Sequence, residues 1–487
     1  MDILRTKPLA RIKADGAAEG GLRRDLRLFD LVGFGVGIVI GTGIFTLTGV
    51  QAKVNAGPGI AISFIVAGVV SLFAALCYAE LASAVPTAGS AYTYAYATIG
   101  EVFAWIIGWD LLLEFGLGAA VVSRSWSGYL ADLFGLPPQW FTEEAPVNLG
   151  AILVIVVLGV IATVGIRESA RVTNLLVLVK VAISVFVVIV GAFFITRSNL
   201  VPFIPESVPA ESGGDALDRP LIETILGGAP SHFGVAGILT AAAVVFFAYT
   251  GFEAVANLGE EARRPERDMP RALIGTLLAC TLLYVLVSVV LTGMVKYTDI
   301  DSSAPLSKAF DVVGASWAGD LVAIAAVAGL TSVILVELVT MGRIGYAMGR
   351  DGLIPPAVAK VSPRFGTPTR LTVIIVIVCA LLGGFIPIEA LSEMVSIGAL
   401  FAFLLVSLAV PILRRTKPDL KRPFKVPFSP VIPVLSGLAC VYLMLNLAVA
   451  TWLRFLVWFA LGVAIYLLYG RRHSVLGREA AVADSDG

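Results

Sequence analysis

The sequence predicts an all-α polytopic membrane protein with 12 transmembrane helices, and three observations lead there. Of its 487 residues 58% are hydrophobic and 14% charged, against roughly 45–50% and 25% in soluble domains. Twelve apolar stretches of spanning length follow one another, near 29–49, 60–84, 101–133, 149–166, 173–195, 235–257, 271–295, 319–341, 371–387, 391–413, 430–448 and 453–469. Basic residues concentrate in alternate connections: 27 of the 35 lysines and arginines fall on one side, six on the other, and Arg124 and Lys180 within spans. Positive charge marks the cytoplasmic side, so both termini are expected there, in a cell membrane of bacterial inner or plasma type.

The elements follow in order. A cytoplasmic N-terminal tail occupies 1–28, spans 1–5 occupy 29–195, and an external loop 196–234 leads to spans 6–10 at 235–413. A basic cytoplasmic loop at 414–429, spans 11 and 12 at 430–470 and a cytoplasmic tail at 471–487 complete the chain. Residues 1–22 and 474–487 are polar and rich in small residues, and are expected to be loose. The N-terminal tail has no short apolar region ending in a cleavage site, so no removable signal peptide is expected.

Several function classes drop out. The basic loops read as topology signals and contacts with anionic lipid rather than nucleic-acid binding. Cys77, Cys280, Cys379 and Cys440 fall in separate spans and read as buried thiols. With only His232 and His473 besides, no metal site and no cofactor is expected. No phosphate loop or nucleophile motif is recognisable, which argues against a nucleotide engine or an enzyme.

The 17 residues 33–49, GFGVGIVIGTGIFTLTG, contain six glycines. Each interior glycine costs a helix about 1 kcal/mol, and a loosened backbone survives at membrane depth only inside protein or along a cavity. Gly41-Thr42-Gly43 therefore marks bare peptide groups that a ligand can reach. The sixth span carries a second interruption, Phe246-Phe247-Ala248-Tyr249-Thr250-Gly251-Phe252. Broken spans at the same ordinal place in two halves point to an inverted repeat and a transport site. The alternative is that the glycines only allow close helix packing.

The strings IGTGIF (40–45), FFAYTGFEAVAN (246–257) and GEEARRPERDMPRA (259–272) resemble the amino acid–polyamine–organocation superfamily. Within it they are similar to the cationic amino acid transporters and their bacterial proton-coupled relatives. YAELAS (78–83), PTAGSAYTYAY (86–96), WDLLLEF (109–115) and RIGYAMGRDGLIP (343–355) extend the resemblance over most of the chain. It implies a leucine-transporter-type 5+5 inverted repeat, with broken helices 1 and 6 and with spans 11 and 12 outside it.

By that resemblance the substrate-binding stretch of span 1 is Ile40, Gly41, Thr42 and Gly43, with the α-carboxylate on Thr42 and Gly43 and the α-ammonium on carbonyls of Phe247, Ala248 and Thr250. Half-helix N–H groups suit an anion and free carbonyls a cation. Phe247 corresponds to the aromatic gate over the substrate, and 86–96 to a re-entrant loop near the inner gate.

Ionisable groups within spans are expensive and need a reason. Lys180 either snorkels to the interface or, as the resemblance implies, replaces a driving cation beside span 1 and couples protons. Glu337 maps to a span 8 position of the side-chain pocket, where it would favour lysine, arginine or ornithine; the alternative is a Glu satisfied by another helix or protonated. Glu114 either faces the pocket or supports the lysine region, and Glu253 is a supporting residue that bonds frayed backbone. Arg124 is expected to reach the interface or a carboxylate. Glu80 reads as part of an inner gate; Glu260 and Glu261 read either as partners for the arginines of 258–272 or, equally well, as solvated loop charges.

The expected function is secondary active amino acid transport, in the first place proton-coupled uptake of cationic amino acids. A neutral amino acid–proton symporter and an amino acid/polyamine exchanger stand as alternatives. A channel would need a continuous polar or charge-ringed pore instead of isolated charges. The expected partners are an L-amino acid, protons and membrane lipid, with an accessory membrane subunit left open.

Overall fold

Among the described residues each expected apolar stretch carries a helix, and the first and sixth stop where their span should continue. The computed structural model describes residues 5–8, 25–84, 92–93, 95–96, 99–165, 170–209, 216–227, 231–258 and 262–479. The principal helices are α1 (Leu28–Val39), α2 (Ile60–Ala84), α3 (Glu101–Phe134), α4 (Leu149–Val164), α5 (Ala170–Gly191) and α6 (Gly234–Val245). They continue as α7 (Pro265–Met294), α8 (Ser316–Arg350), α9 (Thr369–Phe385), α10 (Ile388–Thr416), α11 (Val431–Leu445) and α12 (Val449–Ile465). Among the described residues eight helical stretches are long and apolar enough to cross a membrane, and four apolar helices, α1, α4, α9 and α11, are shorter. A two-residue antiparallel pair, Val208–Pro209 with Ser231–His232, closes the loop before α6.

The outer faces show which solvent the bundle meets. Leu175, Leu178, Leu278, Leu282 and Val457 are each more than half exposed, where a soluble helix would present polar residues. Backbone groups on such faces are satisfied within the helix, as hydrocarbon requires. Inside, α3 is buried along nearly its whole length and packs against α8, α10 and α9.

Both breaks lie in this interior. After Val39, Ile40 is extended (φ −73°, ψ 99°). The chain resumes in wide and regular turns over Gly43–Leu47, Thr48–Gln51 and Ala52–Ala56. In the second break α6 tightens over Phe246–Tyr249, Thr250 is extended (φ −65°, ψ 153°), and Gly251 takes φ +96°. A helix of tighter pitch, Phe252–Leu258, follows. Only a residue without Cβ adopts the Gly251 conformation without strain.

The described parts of both tails meet on one face, the terminal face. Lys7 pairs with Asp351 at 2.7 Å, Tyr92 donates to the same carboxylate at 2.7 Å, and the Val475 N–H donates to the Asp351 carbonyl. Glu101 accepts from Ser474 at 2.8 Å and Tyr466 at 3.0 Å. This corrects the expectation of loose tails at 5–8 and 474–479, because buried polar partners hold them. Glu260 and Glu261 lie outside the described residues, as does most of the 86–96 loop.

Glu80, fully buried, accepts from Arg414 at 2.9 and 2.6 Å and from the Val426 N–H at 2.7 Å. It ties α2 to α10 and the loop beyond it on the terminal face. Away from that face Arg124 pairs with Glu143 at 2.8 Å and donates to the Gly383 and Ile386 carbonyls. That satisfies its predicted need for a carboxylate.

Candidate functional site

The two breaks touch. A Cβ at Gly43 would stand 2.2 Å from the Ala248 Cβ and 2.5 Å from its Cα, so only glycine allows this approach. A Cβ at Gly41 would meet nothing closer than Val333 at 3.8 Å, because Gly41 opens on a cavity. The cavity is lined by Gly41, Thr42 and Gly43 of the first break and Phe247, Ala248, Thr250 and Gly251 of the second. Opposite them stand Glu114 and Gly118 of α3, Lys180 of α5, and Ser332, Glu337 and Thr340 of α8. Phe115, Val122, Val333 and Val336 make the remaining wall apolar.

Polar groups at the breaks are largely committed. The Tyr284 hydroxyl on α7 lies 2.7 Å from the Val39 carbonyl and 2.9 Å from that of Ala248, so one proton serves both breaks in turn. Ser396 on α10 accepts from the Phe247 N–H at 3.2 Å and donates to Val244 at 3.0 Å. The Phe247 carbonyl accepts from both the N–H and the hydroxyl of Thr250, at 3.1 and 2.9 Å, which occupies both lone pairs. In this conformation the Phe247 carbonyl is thus engaged within its own turn, while that of Ala248 accepts one hydrogen bond from Tyr284. Thr42 Oγ1 is buried with no hydrogen-bond partner among the described residues.

Lys180 is 1% exposed and does not snorkel. Its ammonium donates to the Gly37 carbonyl of α1, one turn before the break, and its stem packs on Gly329 of α8. The Glu337 carboxyl stands against Gly118, and its Oε2 is buried with no hydrogen-bond partner among the described residues.

A family model described as amino acid permease matches residues 26–469. The chain belongs to this family. It is 40% identical over 486 residues to a methylthioribose transporter of Bacillus subtilis, covering 98% of this chain and 99% of the relative. It is also 40% identical over 489 residues to the branched-chain amino acid permease BcaP of the same organism, covering 98% and 99%. Cationic amino acid transporter 4, vacuolar, of Arabidopsis thaliana is 31% identical over 594 residues, covering 97% and 95%. The family and these relatives are carriers rather than enzymes, and this amino acid permease is a membrane protein.

Of the residues singled out by sequence, Gly41, Thr42, Gly43, Phe247, Ala248, Thr250, Glu337, Lys180 and Glu114 come together at the permease cavity. Ile40 and Glu253 are not on its wall: Ile40 is fully buried behind it, and Glu253 holds the Gly251 N–H at 3.0 Å. Sequence reasoning missed Tyr284 and Ser396. Their signal was a hydroxyl inside an apolar span, which also describes many residues that only satisfy their own helix.

Proposed function

We propose that this permease is a secondary active carrier that takes cationic amino acids across the membrane by alternating access, coupled to protons. The reading includes 12 spans, a 5+5 inverted repeat, and the terminal face in the cytoplasm. The α-carboxylate meets Thr42 and the backbone of the first break, and the ammonium meets Ala248. One observation carries the cationic assignment: Glu337 presents a buried, unpartnered carboxylate oxygen at the cavity wall, and a cationic side chain supplies its counter-charge. Lys180, bonded to α1 beside the break, is the proposed proton-coupling residue, because burial disfavours the charged form of a lysine relative to water.

A second reading is branched-chain amino acid transport. Phe115, Val122, Val333 and Val336 on the same wall favour it, as does the substrate named for one relative. The test is uptake into proteoliposomes of arginine, lysine, ornithine, leucine and methylthioribose, with pH and sodium varied independently. Glu337→Met should abolish a preference for arginine over leucine. Arginine preference that survives that substitution refutes the role of Glu337, and leucine preference in the wild type selects the second reading. Saturable counterflow separates a carrier from a channel.

A further inference from the structure

At one point the α3 helix offers the cavity a gap rather than a side chain. Gly118 lies on the cavity wall one helical turn from each of its α3 neighbours there, Glu114 and Val122. A Cβ at position 118 would stand 2.7 Å from the Glu337 Oε1, 3.2 Å from its Cδ and 3.5 Å from its Oε2. Real Cβ atoms essentially never come within 3.0 Å of another heavy atom, so the carboxyl occupies the space where any side chain at 118 would begin. Glu337 sits on α8, which packs against α3, and it bounds the cavity on that side. Close packing of helices accounts for Gly116, whose Cβ would meet the end of the flexible Met341 side chain at 3.1 Å. Neither Gly116 nor Met341 is among the residues lining the cavity. At Gly118 the glycine is matched instead to an acidic group on the substrate cavity.

We propose that Gly118 is a specificity-determining residue, which sets the depth of the substrate side-chain pocket by giving the Glu337 carboxyl a recess in α3. With no Cβ at 118 the carboxyl lies back against the helix backbone and leaves the cavity open for a long side chain. A methyl there drives Oε1 from 2.7 to about 3.4 Å, where ordinary van der Waals contact begins. Because α3 blocks one direction, the carboxyl moves toward the breaks that face it, and the new methyl itself adds to the wall. The pocket shortens by less than one carbon–carbon bond, about 1.5 Å, and the longest side chains are the first to be excluded. The proposal rests on the reading of Glu337 as the group that meets the substrate side chain.

The test measures how amino acids of graded length compete with counterflow of radiolabelled arginine, or leucine if the panel selects it, in proteoliposomes of the full chain. One series is 2,4-diaminobutyrate, ornithine and lysine, each one methylene longer than the last; norvaline, norleucine and 2-aminoheptanoate are the neutral counterparts. Affinity ratios read on the same vesicles do not depend on how much protein inserted. Gly118→Ala is expected to lower the affinity for lysine relative to 2,4-diaminobutyrate about tenfold, the low end for a methylene-sized misfit. Gly116→Ala should leave that ratio unchanged, since Met341 can turn aside. Adding Glu337→Asp to Gly118→Ala should restore it, because aspartate withdraws the carboxyl by one methylene from the new methyl. A Gly118→Ala protein with the wild-type length profile overturns the proposal. So does a loss uniform across lengths, or a double variant no better than the single one, because either makes the glycine a packing residue only. If Gly118→Ala does not insert, Glu337→Asp alone must shift preference toward lysine, and an unchanged profile again overturns the proposal. A wild type that does not prefer ornithine to norleucine refutes instead the charge reading of Glu337, and the neutral series then tests Gly118 by the same ratio.

Discussion

A methyl group added at Gly43 would lie 2.2 Å from the Ala248 Cβ and 2.5 Å from its Cα, far inside the roughly 3.5–4.0 Å of favourable carbon contact. Ala248 cannot turn aside as a long side chain would, because the clash reaches its backbone and its carbonyl is tied to Tyr284. The two breaks must separate by more than 1 Å in Gly43→Ala, a displacement that follows from the 2.2 Å approach. Overpacking of this kind costs about 1–3 kcal/mol, equivalent to about 5- to 150-fold in the population of the state in which the breaks touch. Gly41→Ala is the internal comparison, since its new methyl meets only Val333 at 3.8 Å. Thermal unfolding of the purified protein and counterflow in proteoliposomes read the two effects. Gly43→Ala should lower the unfolding midpoint and reduce counterflow at least about fivefold, while Gly41→Ala should keep the midpoint. A Gly43→Ala protein with wild-type stability and counterflow would refute the contact between the breaks.

Three further outcomes are expected. Tyr284→Phe removes the hydroxyl shared by Val39 and Ala248 and costs about 1–3 kcal/mol for buried carbonyls left unpaired, measurable as a lower unfolding midpoint; an unchanged midpoint would show that water replaces it. Arg414→Ala takes the bidentate partner from buried Glu80, at about 3 kcal/mol, the low end for broken buried pairs because Arg422 remains nearby. Labelling of Cys77, one turn from Glu80 and buried in this structure, should then quicken on the order of tenfold; an unchanged rate excludes Glu80 as a latch. Lys308, paired with Asp132 and Asp311, has its ammonium pushed above the usual value, chiefly by the hydrogen bond to Asp132. A raised lysine stabilises fully below about pH 10.4 and loses that contribution only as pH climbs through the raised value. Lys308→Met should therefore leave the pH profile of uptake between 6 and 8 unchanged, and a shifted profile would place a titrating group at this pair.

The twelve apolar stretches, the concentration of arginine and lysine, and the interruptions at 40–43 and 246–251 were legible because each is a local property. Hydrocarbon demands runs of apolar residues, and a broken helix at membrane depth demands glycine or a polar insert near its break. Lys180 and Glu337 stood out for the same reason, since an ionisable group in an apolar run has few explanations. Pairwise distance was not legible. Nothing in the one-dimensional pattern says that Gly43 rests on Ala248, that Tyr284 serves both breaks, or that Thr250 occupies the Phe247 carbonyl expected to hold an ammonium.

Sequence by itself thus determined the class of solvent, the family, and where the backbone gives way. Tertiary structure decided which of the freed groups remain free, because a hydrogen-bonding group at a break is claimed by whichever helix packs against it. Tyr284 shows the difference most plainly. It reads as one hydroxyl in an apolar span, and only the packing of α7 against both breaks sets it between the Val39 and Ala248 carbonyls.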